Sequence, residues 1–435
     1  MDYSLLRSKI YTTLLSLATQ DGINASGKDE IYGCIFGRDS AITILKILRV
    51  TSLPQAASLY DVTELQEMCK RSLLKLVSLQ GTHTVLESGE EPGKFIHEYR
   101  RDKYEHLLKW EKPWYVYPDG VLRNYDSLDS TPLALIALYR YWEQTKDTAF
   151  LLSVLPAVEA GLNWIISYGD RDKDLLVEYE LSEKRQFGGL PVQSWTDSPD
   201  SVMNRDGVMP LYPIAPVEVQ GYSWLALTLW GNFYSSGKEY ANTDTFARKL
   251  LQQAKMMKKR FNELFLFQDQ GLSFPAQALD GYKNQMRTIT GNPLLLMWAT
   301  YSENGKLTSI LEEEYISDLV KRAFLPDLFD LDAGIRTMSS QAITFNASRD
   351  SYHNGSFWPK LNGMSHEGLE IWGYAQEATL LKEASLKPIV YFDSPIELYI
   401  KGENGSYLEF IGPDGQVGCR NQAWSAAATL DLLTA

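Results

Sequence analysis

Cysteine and histidine are scarce in this 435-residue chain, with three copies of the first and five of the second. Cys34, Cys69 and Cys419 are odd in number and widely spaced. That argues against a disulfide framework or a thiolate zinc site and fits reduced thiols. The histidines show no HExxH or similar ligand spacing, so neither a dedicated metal site nor a cofactor is expected. Clusters of lysine or arginine are missing too, and the net charge is −13 with a pI near 5.0. Such a balance disfavours nucleic acid and anionic membrane as partners, while a neutral small molecule is not repelled. No run of about 18 apolar residues stands out, so no membrane span is expected. The opening Met1-Asp2-Tyr3-Ser4 lacks the basic and apolar regions of a secretory leader, which points to the cytoplasm.

What is abundant is apolar and aromatic. Hydrophobic residues make up 44 % of the chain, enough to bury a large core, and 11 tryptophans contribute to a 12 % aromatic share. Many aromatics fall in Gly- and Pro-rich segments, where they suit stacking on sugar rings. Helical periodicity dominates the rest. Over 150–166, Phe150, Leu151, Val154, Leu155, Val158, Leu162, Ile165 and Ile166 recur at spacings of three and four. Comparable stretches near 3–19, 39–50, 61–80, 128–145, 216–235, 243–266, 291–302, 309–323, 354–362, 365–386 and 421–434 bring the count to about twelve. Asp61, Asp129-Ser130-Thr131-Pro132 and Pro216 supply start signals. The connections 81–127, 169–215, 267–290, 325–353 and 387–420 are long, and long loops in a compact domain are generally functional. Paired helices with long loops at alternate junctions predict an all-α fold, an (α/α)6 toroid (six-hairpin barrel) with a funnel at one end. No linker or low-complexity run divides the chain, so residues 1–435 read as one domain.

Two loop carboxylates draw attention, Asp197 in Gln193-Ser194-Trp195-Thr196-Asp197-Ser198-Pro199 and Glu397 in Pro395-Ile396-Glu397-Leu398-Tyr399. Each sits beside aromatics and helix breakers. A glycosidic bond needs one carboxyl to protonate the leaving oxygen and another to handle water or the anomeric carbon. An acid beside Trp195 is partly desolvated, which raises its pKa and suits a general acid; a plain turn aspartate explains Asp197 equally well on its own. In Gly37-Arg38-Asp39-Ser40, Ser40 or Asp39 could serve only as a helix cap, while Arg38 with Asp39 would make a donor–acceptor fork for sugar hydroxyls. Asp126 and Asp129 flank the next helix start, where at least one is expected to be a cap. Glu91 to Arg100 reads by default as a solvated charged loop. Glu218, in Pro216-Val217-Glu218-Val219-Gln220, is explained by the helix dipole, with a funnel-floor role as the alternative. Tyr352-His353-Asn354-Gly355-Ser356-Phe357-Trp358-Pro359 packs donors, acceptors and stacking faces into eight residues. Glu397 could also be a β-edge carboxylate ahead of a hairpin at Gly402-Glu403-Asn404-Gly405. A nucleophilic Cys419 is disfavoured.

Taken in order, these blocks resemble the glucosidase domain of the amylo-α-1,6-glucosidase (glycogen-debranching) family. The matching pieces are Phe-Gly-Arg-Asp-Ser at 36–40, Trp-Thr-Asp at 195–197, Pro-Val-Glu-Val-Gln at 216–220, Ala-Leu-Asp-Gly and Thr-Gly-Asn-Pro within 278–293, Gly-Ile-Arg-Thr at 334–337, Tyr-His-Asn-Gly-Ser-Phe-Trp-Pro at 352–359, Glu-Leu at 397–398 and Gln-Ala-Trp-Ser at 422–425. A looser resemblance extends to processing α-glucosidase I and to mannosylglycerate and glucosylglycerate hydrolases. The resemblance implies an (α/α)6 barrel and inverting hydrolysis, with Asp197 as general acid and Glu397 as general base. It implies substrate contacts from Arg38, Asp39, Trp195, Glu218, Gln220, His353, Asn354, Trp358, Gln422 and Trp424. Debranching enzymes often carry a further N-terminal domain, and none precedes residue 1 in this sequence. A small oligosaccharide or glycoside is therefore the expected substrate beside a limit-dextrin stub. Two rivals use the same funnel: a phosphorylase, which would need an anion pocket where no Gly-rich loop is evident, and a non-catalytic sugar-binding protein.

Overall fold

Thirteen α-helices among the described residues carry the fold, and their burial sorts them into two kinds. The computed structural model describes residues 3–204, 206–236, 244–402 and 404–435. Thr243 of the helix expected over 243–266, Glu403 of the expected hairpin, and Met1 and Asp2 lie outside those residues. The helices are α1 (Ser4–Ser16), α2 (Gly37–Ser52), α3 (Ala56–Leu59), α4 (Val62–Ser78), α5 (Ser130–Thr145), α6 (Thr148–Ser167) and α7 (Val217–Ser235). They continue as α8 (Asp244–Leu264), α9 (Leu295–Trp298), α10 (Ile316–Ala323), α11 (Pro359–Ile371), α12 (Ala375–Phe392) and α13 (Ala423–Thr434). In α2, α5, α7, α9, α11 and α13 most residues are buried all round; the longer remaining helices bury one face. A helix apolar on all sides has to lie inside other helices, and an amphipathic one covers it.

The buried helices pack in a closed cycle. α2 touches α5, α5 touches α7, α7 touches α9, α9 touches α11, α11 touches α13, and α13 returns to α2. The amphipathic helices lie against them: α4 on α2, α6 on α5, α8 on α7, α12 on α11 and α1 on α13. One apolar cluster runs from Ile10 to Leu430, and a satellite of Leu107, Trp114 and Leu122 sits under the loops. Four of the buried helices, α2, α7, α11 and α13, are entered through a short extended segment. Ile35–Phe36 leads into α2 and pairs with Glu98–Arg100, which pairs with Leu122–Asn124. Ala215–Pro216 leads into α7 and pairs with Ala278–Leu279, and Phe357 before α11 bridges to Tyr399. The segment before α13 is held by a bridge from Ser26 to Gln422. The helix starts are thereby fixed where loops from distant parts of the chain meet.

Several boundaries differ from the sequence reading. The stretches expected at 354–362 and 365–386 are α11 and α12, with the break at Trp372-Gly373 rather than after 362. Gly363 lies inside α11. A Cβ there would stand 2.7 Å from the Cβ of Ala428, so this glycine permits close packing of α11 on α13 and does not end a helix. The true stop is Gly373, at φ +78°. The stretch expected at 291–302 shrinks to a 3-10 turn plus α9, because Thr300–Glu303 and Lys306–Ser309 pair as a hairpin across Asn304-Gly305. Likewise 309–323 contributes only α10, after a 3-10 turn at Glu313–Tyr315. The segment Glu91 to Arg100 is not a solvated loop: Lys94, His97, Glu98 and Arg100 are buried, and 98–100 form the central strand of a three-stranded sheet. By length and composition α6 could cross a membrane, at a mean hydropathy of 1.7, which the sequence reading did not foresee. In the fold its apolar face, from Phe150 to Ile165, packs on α5.

Candidate active site

A cavity of about 860 Å³ opens over the starts of α2 and α13 and the loops carrying Asp197, His353 and Glu397. Its construction begins with Gly37. A Cβ at this position would lie 1.9 Å from the Ile96 carbonyl oxygen, so only glycine lets the strand pass into α2 here. The next two residues, Arg38 and Asp39, then point into the cavity wall and are both buried. Neither Asp39 nor Ser40 caps the helix. Ser40 donates to the Ile23 carbonyl at 3.3 Å, and Asp39 accepts from the Gln422 side-chain amide at 3.0 Å.

Arg38 organises the acid loop. Its Nη2 donates to Asp197 Oδ2 at 2.8 Å, and Nη1 donates to the Ser194 carbonyl at 3.0 Å and faces Asp129 Oδ2 at 3.5 Å. The loop is pinned elsewhere by Gln277, which donates to the Ser201 carbonyl at 2.8 Å, and by the Trp195 indole, which donates to Asn292 Oδ1 at 3.1 Å. Asp197 keeps 21 % of its side chain exposed toward the cavity. Burial among these groups nevertheless pushes its carboxyl above the usual aspartate range, and Arg38 opposes that rise.

Glu397 is held differently. Its Oε1 accepts from the Tyr352 hydroxyl and its Oε2 from the Cys419 backbone N–H at 2.8 Å. A reciprocal bond from Glu397 N to the Cys419 carbonyl, also 2.8 Å, fixes the backbone. The Tyr352 hydroxyl lies 3.2 Å from that of Tyr32, from which it can accept, and Gln416 donates to Tyr32 at 3.1 Å. No cation bonds to Glu397 among the described residues. Burial therefore lifts its pKa to about 7, against the lowering effect of Tyr352 and Cys419. The Cys419 thiol is pushed far up by burial, which leaves it a poor nucleophile; its contribution is the backbone N–H.

The wall between the two carboxyls is aromatic. The His353 ring stacks on Trp358 at 4.9 Å and 14°, and its Nδ1 shares a 2.9 Å bond with the Ser198 hydroxyl. Burial drives His353 well below the ordinary histidine range, so it is neutral. Trp195 and Trp424 meet Trp358 edge-on. Behind Trp195 lies Lys360, whose ammonium is 3.8 Å from the indole centroid and has no hydrogen-bond partner. Burial lowers it to about 7.

Of the twelve residues singled out in sequence, nine border the cavity: Arg38, Asp39, Trp195, Asp197, His353, Trp358, Glu397, Gln422 and Trp424. Three do not. Glu218 is buried below it with both oxygens unpartnered, and burial lifts its pKa to about 7. Gln220 spends its amide on the Val177 backbone, accepting at 2.9 Å and donating at 2.8 Å, so it ties a loop to α7. Asn354 donates to Asp200 at 2.8 Å. Neither Asp126 nor Asp129 caps α5: Asp126 forms a two-pronged pair with Arg185, and Asp129 serves Arg38 and Ser127. Tyr32 and Lys360 were missed, and Tyr352 was read only as part of its polar and aromatic block. A signal for Lys360 existed in the second helical position, where Arg38 and Glu218 also place a charge at the head of an apolar helix. The oxygens of Asp170, Asp172 and Asp174 cluster within 4.8 Å of one another, but Lys283 already sits 2.8 Å from Asp172 and 3.1 Å from Asp174. An ammonium takes the place a metal ion would need.

A family model described as amylo-alpha-1,6-glucosidase matches residues 76–431, from α4 through the acid loop and Glu397 into α13. The chain belongs to the amylo-α-1,6-glucosidase family. It is accordingly a glycoside hydrolase. The fold recurs in solved structures of the GH63 mannosylglycerate hydrolase from Thermus thermophilus. The complex with Tris matches at 15 % identity and a TM-score of 0.66, covering 98 % of this chain and 99 % of that one. The complex with glucose matches at 16 % identity and 0.66, with the same coverage. A third, with Tris and D-glycerate, matches at 15 % and 0.65. Among curated proteins, none matches this chain in sequence.

Proposed function

We propose that the protein is an inverting, exo-acting α-glucosidase that releases β-glucose from a short α-linked glucoside or a limit-dextrin stub. The observation that carries this reading is the pairing of two differently held carboxyls on one aromatic cavity, Asp197 under a guanidinium and Glu397 under neutral donors. The closed helix cycle supports an (α/α)6 toroid built as one catalytic domain, with the long loops as its funnel. In the proposed reaction Asp197 protonates the glycosidic oxygen as the C1–O bond breaks. Glu397 takes a proton from a water that attacks C1 from the opposite face, and the anomeric configuration inverts. That route calls for carboxyl oxygens roughly 6.5–9.5 Å apart, enough for one water. Trp195, Trp358 and Trp424 would stack on the glucosyl ring, and Asp39 with Gln422 would accept from and donate to its hydroxyls. No metal or cofactor enters the scheme.

The likeness to a mannosylglycerate hydrolase favours a second reading, hydrolysis of a small glycerate glycoside. Proton NMR of the products separates the possibilities. Isomaltose, maltose, panose, glucosylglycerate, mannosylglycerate and limit dextrin are incubated with wild type and Glu397→Gln, with and without phosphate. Initial β-glucose that disappears in the variant supports inverting α-glucosidase action. Initial α-glucose, sugar phosphate formed only with phosphate, or activity surviving both Glu397→Gln and Asp197→Asn overturns it.

A further inference from the structure

The outer part of the cavity carries a charge pattern that neither catalytic carboxyl accounts for. Asp29, Glu30, Glu409 and Asp414 line it with the exposed guanidinium of Arg420, and the buried pair of Glu98 and Arg100 borders the cavity behind them. Both cations are engaged. Arg100 bonds Glu98 and spends its remaining nitrogens on the Ile31 carbonyl at 2.8 Å and the Lys103 carbonyl at 3.3 Å. Arg420 pairs with Glu409. Lys103, just outside the lining, is held by the Lys28 carbonyl at 2.8 Å and by Asp29 at 3.2 Å. Deeper in, Arg38 is committed to Asp197. Two of the carboxylates have no cation among the described residues. Glu30 accepts only backbone N–H groups, from Gly27 at 2.7 Å and Arg420 at 2.6 Å among them, and Asp414 accepts from Gln416 N at 3.1 Å. The same mouth presents Trp110, half exposed at 50 % and set edge-on to Trp114 at 6.1 Å.

An anionic leaving group entering this mouth would meet uncompensated negative charge and, among the described lining residues, no cation without a carboxylate partner, and like-charge juxtaposition of this kind rejects a partner. An uncharged sugar would meet carboxylates that accept from its hydroxyls and an indole face that stacks on its ring. We infer that the leaving-group side of the site selects an uncharged polyol or sugar, stacked on Trp110, and rejects glycerate-type acids. The inference rests on the proposed glycosidase reading and names the substrate class within it.

Glucosylglycerol and glucosylglycerate form a matched pair that differ by one carboxylate. At low salt, kcat/KM for glucosylglycerol should exceed that for glucosylglycerate by ~10-fold or more, and the gap should narrow as salt screens the rim charges. Asp414→Asn should reduce the gap and Asp414→Lys should shrink it further, while the ratio of isomaltose to α-glucosyl fluoride turnover should fall several-fold in Trp110→Ala. Equal or preferred turnover of glucosylglycerate overturns the inference and leaves the glycosidase reading intact. A gap insensitive to both salt and Asp414 also overturns it. Absence of turnover on every glycoside, fluoride included, removes the glycosidase reading and the inference with it.

Discussion

Asp197 and Glu397 share one cavity but are held by opposite physical means. Asp197 lies against a permanently charged guanidinium, 2.8 Å away, and Glu397 is held by a phenol and a peptide N–H with no cation in contact. Both carboxyls rise through burial, but Arg38 offsets the rise for Asp197, whereas only neutral donors offset it for Glu397. A charged donor holds its partner by favouring the ionised form; neutral donors fix orientation while leaving the proton free to move near neutral pH. In the proposed reaction the two groups must hold opposite protonation states. The difference in their surroundings is therefore what experiments should attack.

The largest effects should come from removing the carboxyls. Asp197→Asn and Glu397→Gln should each lower kcat on the order of 10²–10⁴-fold with folding unchanged by circular dichroism. A mild loss in either would assign that residue to binding. Next comes Arg38→Met, expected to cost ~10²-fold in kcat/KM through lost positioning. Removing the cation removes the influence that lowers Asp197, so the alkaline limb of the pH profile should move up. A limb that stays in place would detach Asp197 from the proton that limits the reaction.

For wild type, Glu397 must be ionised to act as base. With its pKa raised to about 7, kcat/KM should climb as pH rises through 7. Tyr352→Phe removes a bond that lowers Glu397, so this acidic limb should shift to higher pH, with a loss of ~10-fold at neutral pH. The smallest effect, on stability alone, belongs to Glu218 below the cavity. Its folded pKa, about 7, lies above the unfolded value. Its neutral form is therefore the one the fold favours, and stability is lost as pH rises toward 7. Glu218→Gln should then raise the melting temperature more at pH 8 than at pH 5. The reverse order would mean that an ion pair with Lys360, and not burial, governs this carboxyl.

Much of the site was legible in sequence because it is built from short local blocks. Phe-Gly-Arg-Asp-Ser, Trp-Thr-Asp and Gln-Ala-Trp-Ser each bring their own turn or helix start, and Arg38, Asp39, Trp195, Asp197, Gln422 and Trp424 from them border the cavity together. Legibility failed where a residue's meaning depends on a distant neighbour. The place of Gly363 inside α11 is explained by Ala428, which packs against it from another helix. Gln220 and Asn354 belong to polar motifs, yet their amides are used up on Val177 and Asp200. Tyr352 carried no signal apart from its neighbours, because its bond to Glu397 spans 45 positions.

The sequence by itself determined the helical character, the alternation of helices with long loops and the identity of two acids among aromatics, because periodicity and local composition are short-range properties. Tertiary structure alone decided which charges meet. Arg38 reaches Asp197 across 159 positions, and the rim carboxylates and arginines come from segments up to some 390 residues apart. A pKa or a substrate preference arises from burial and from charges within a few ångströms, and no sequence spacing encodes those distances.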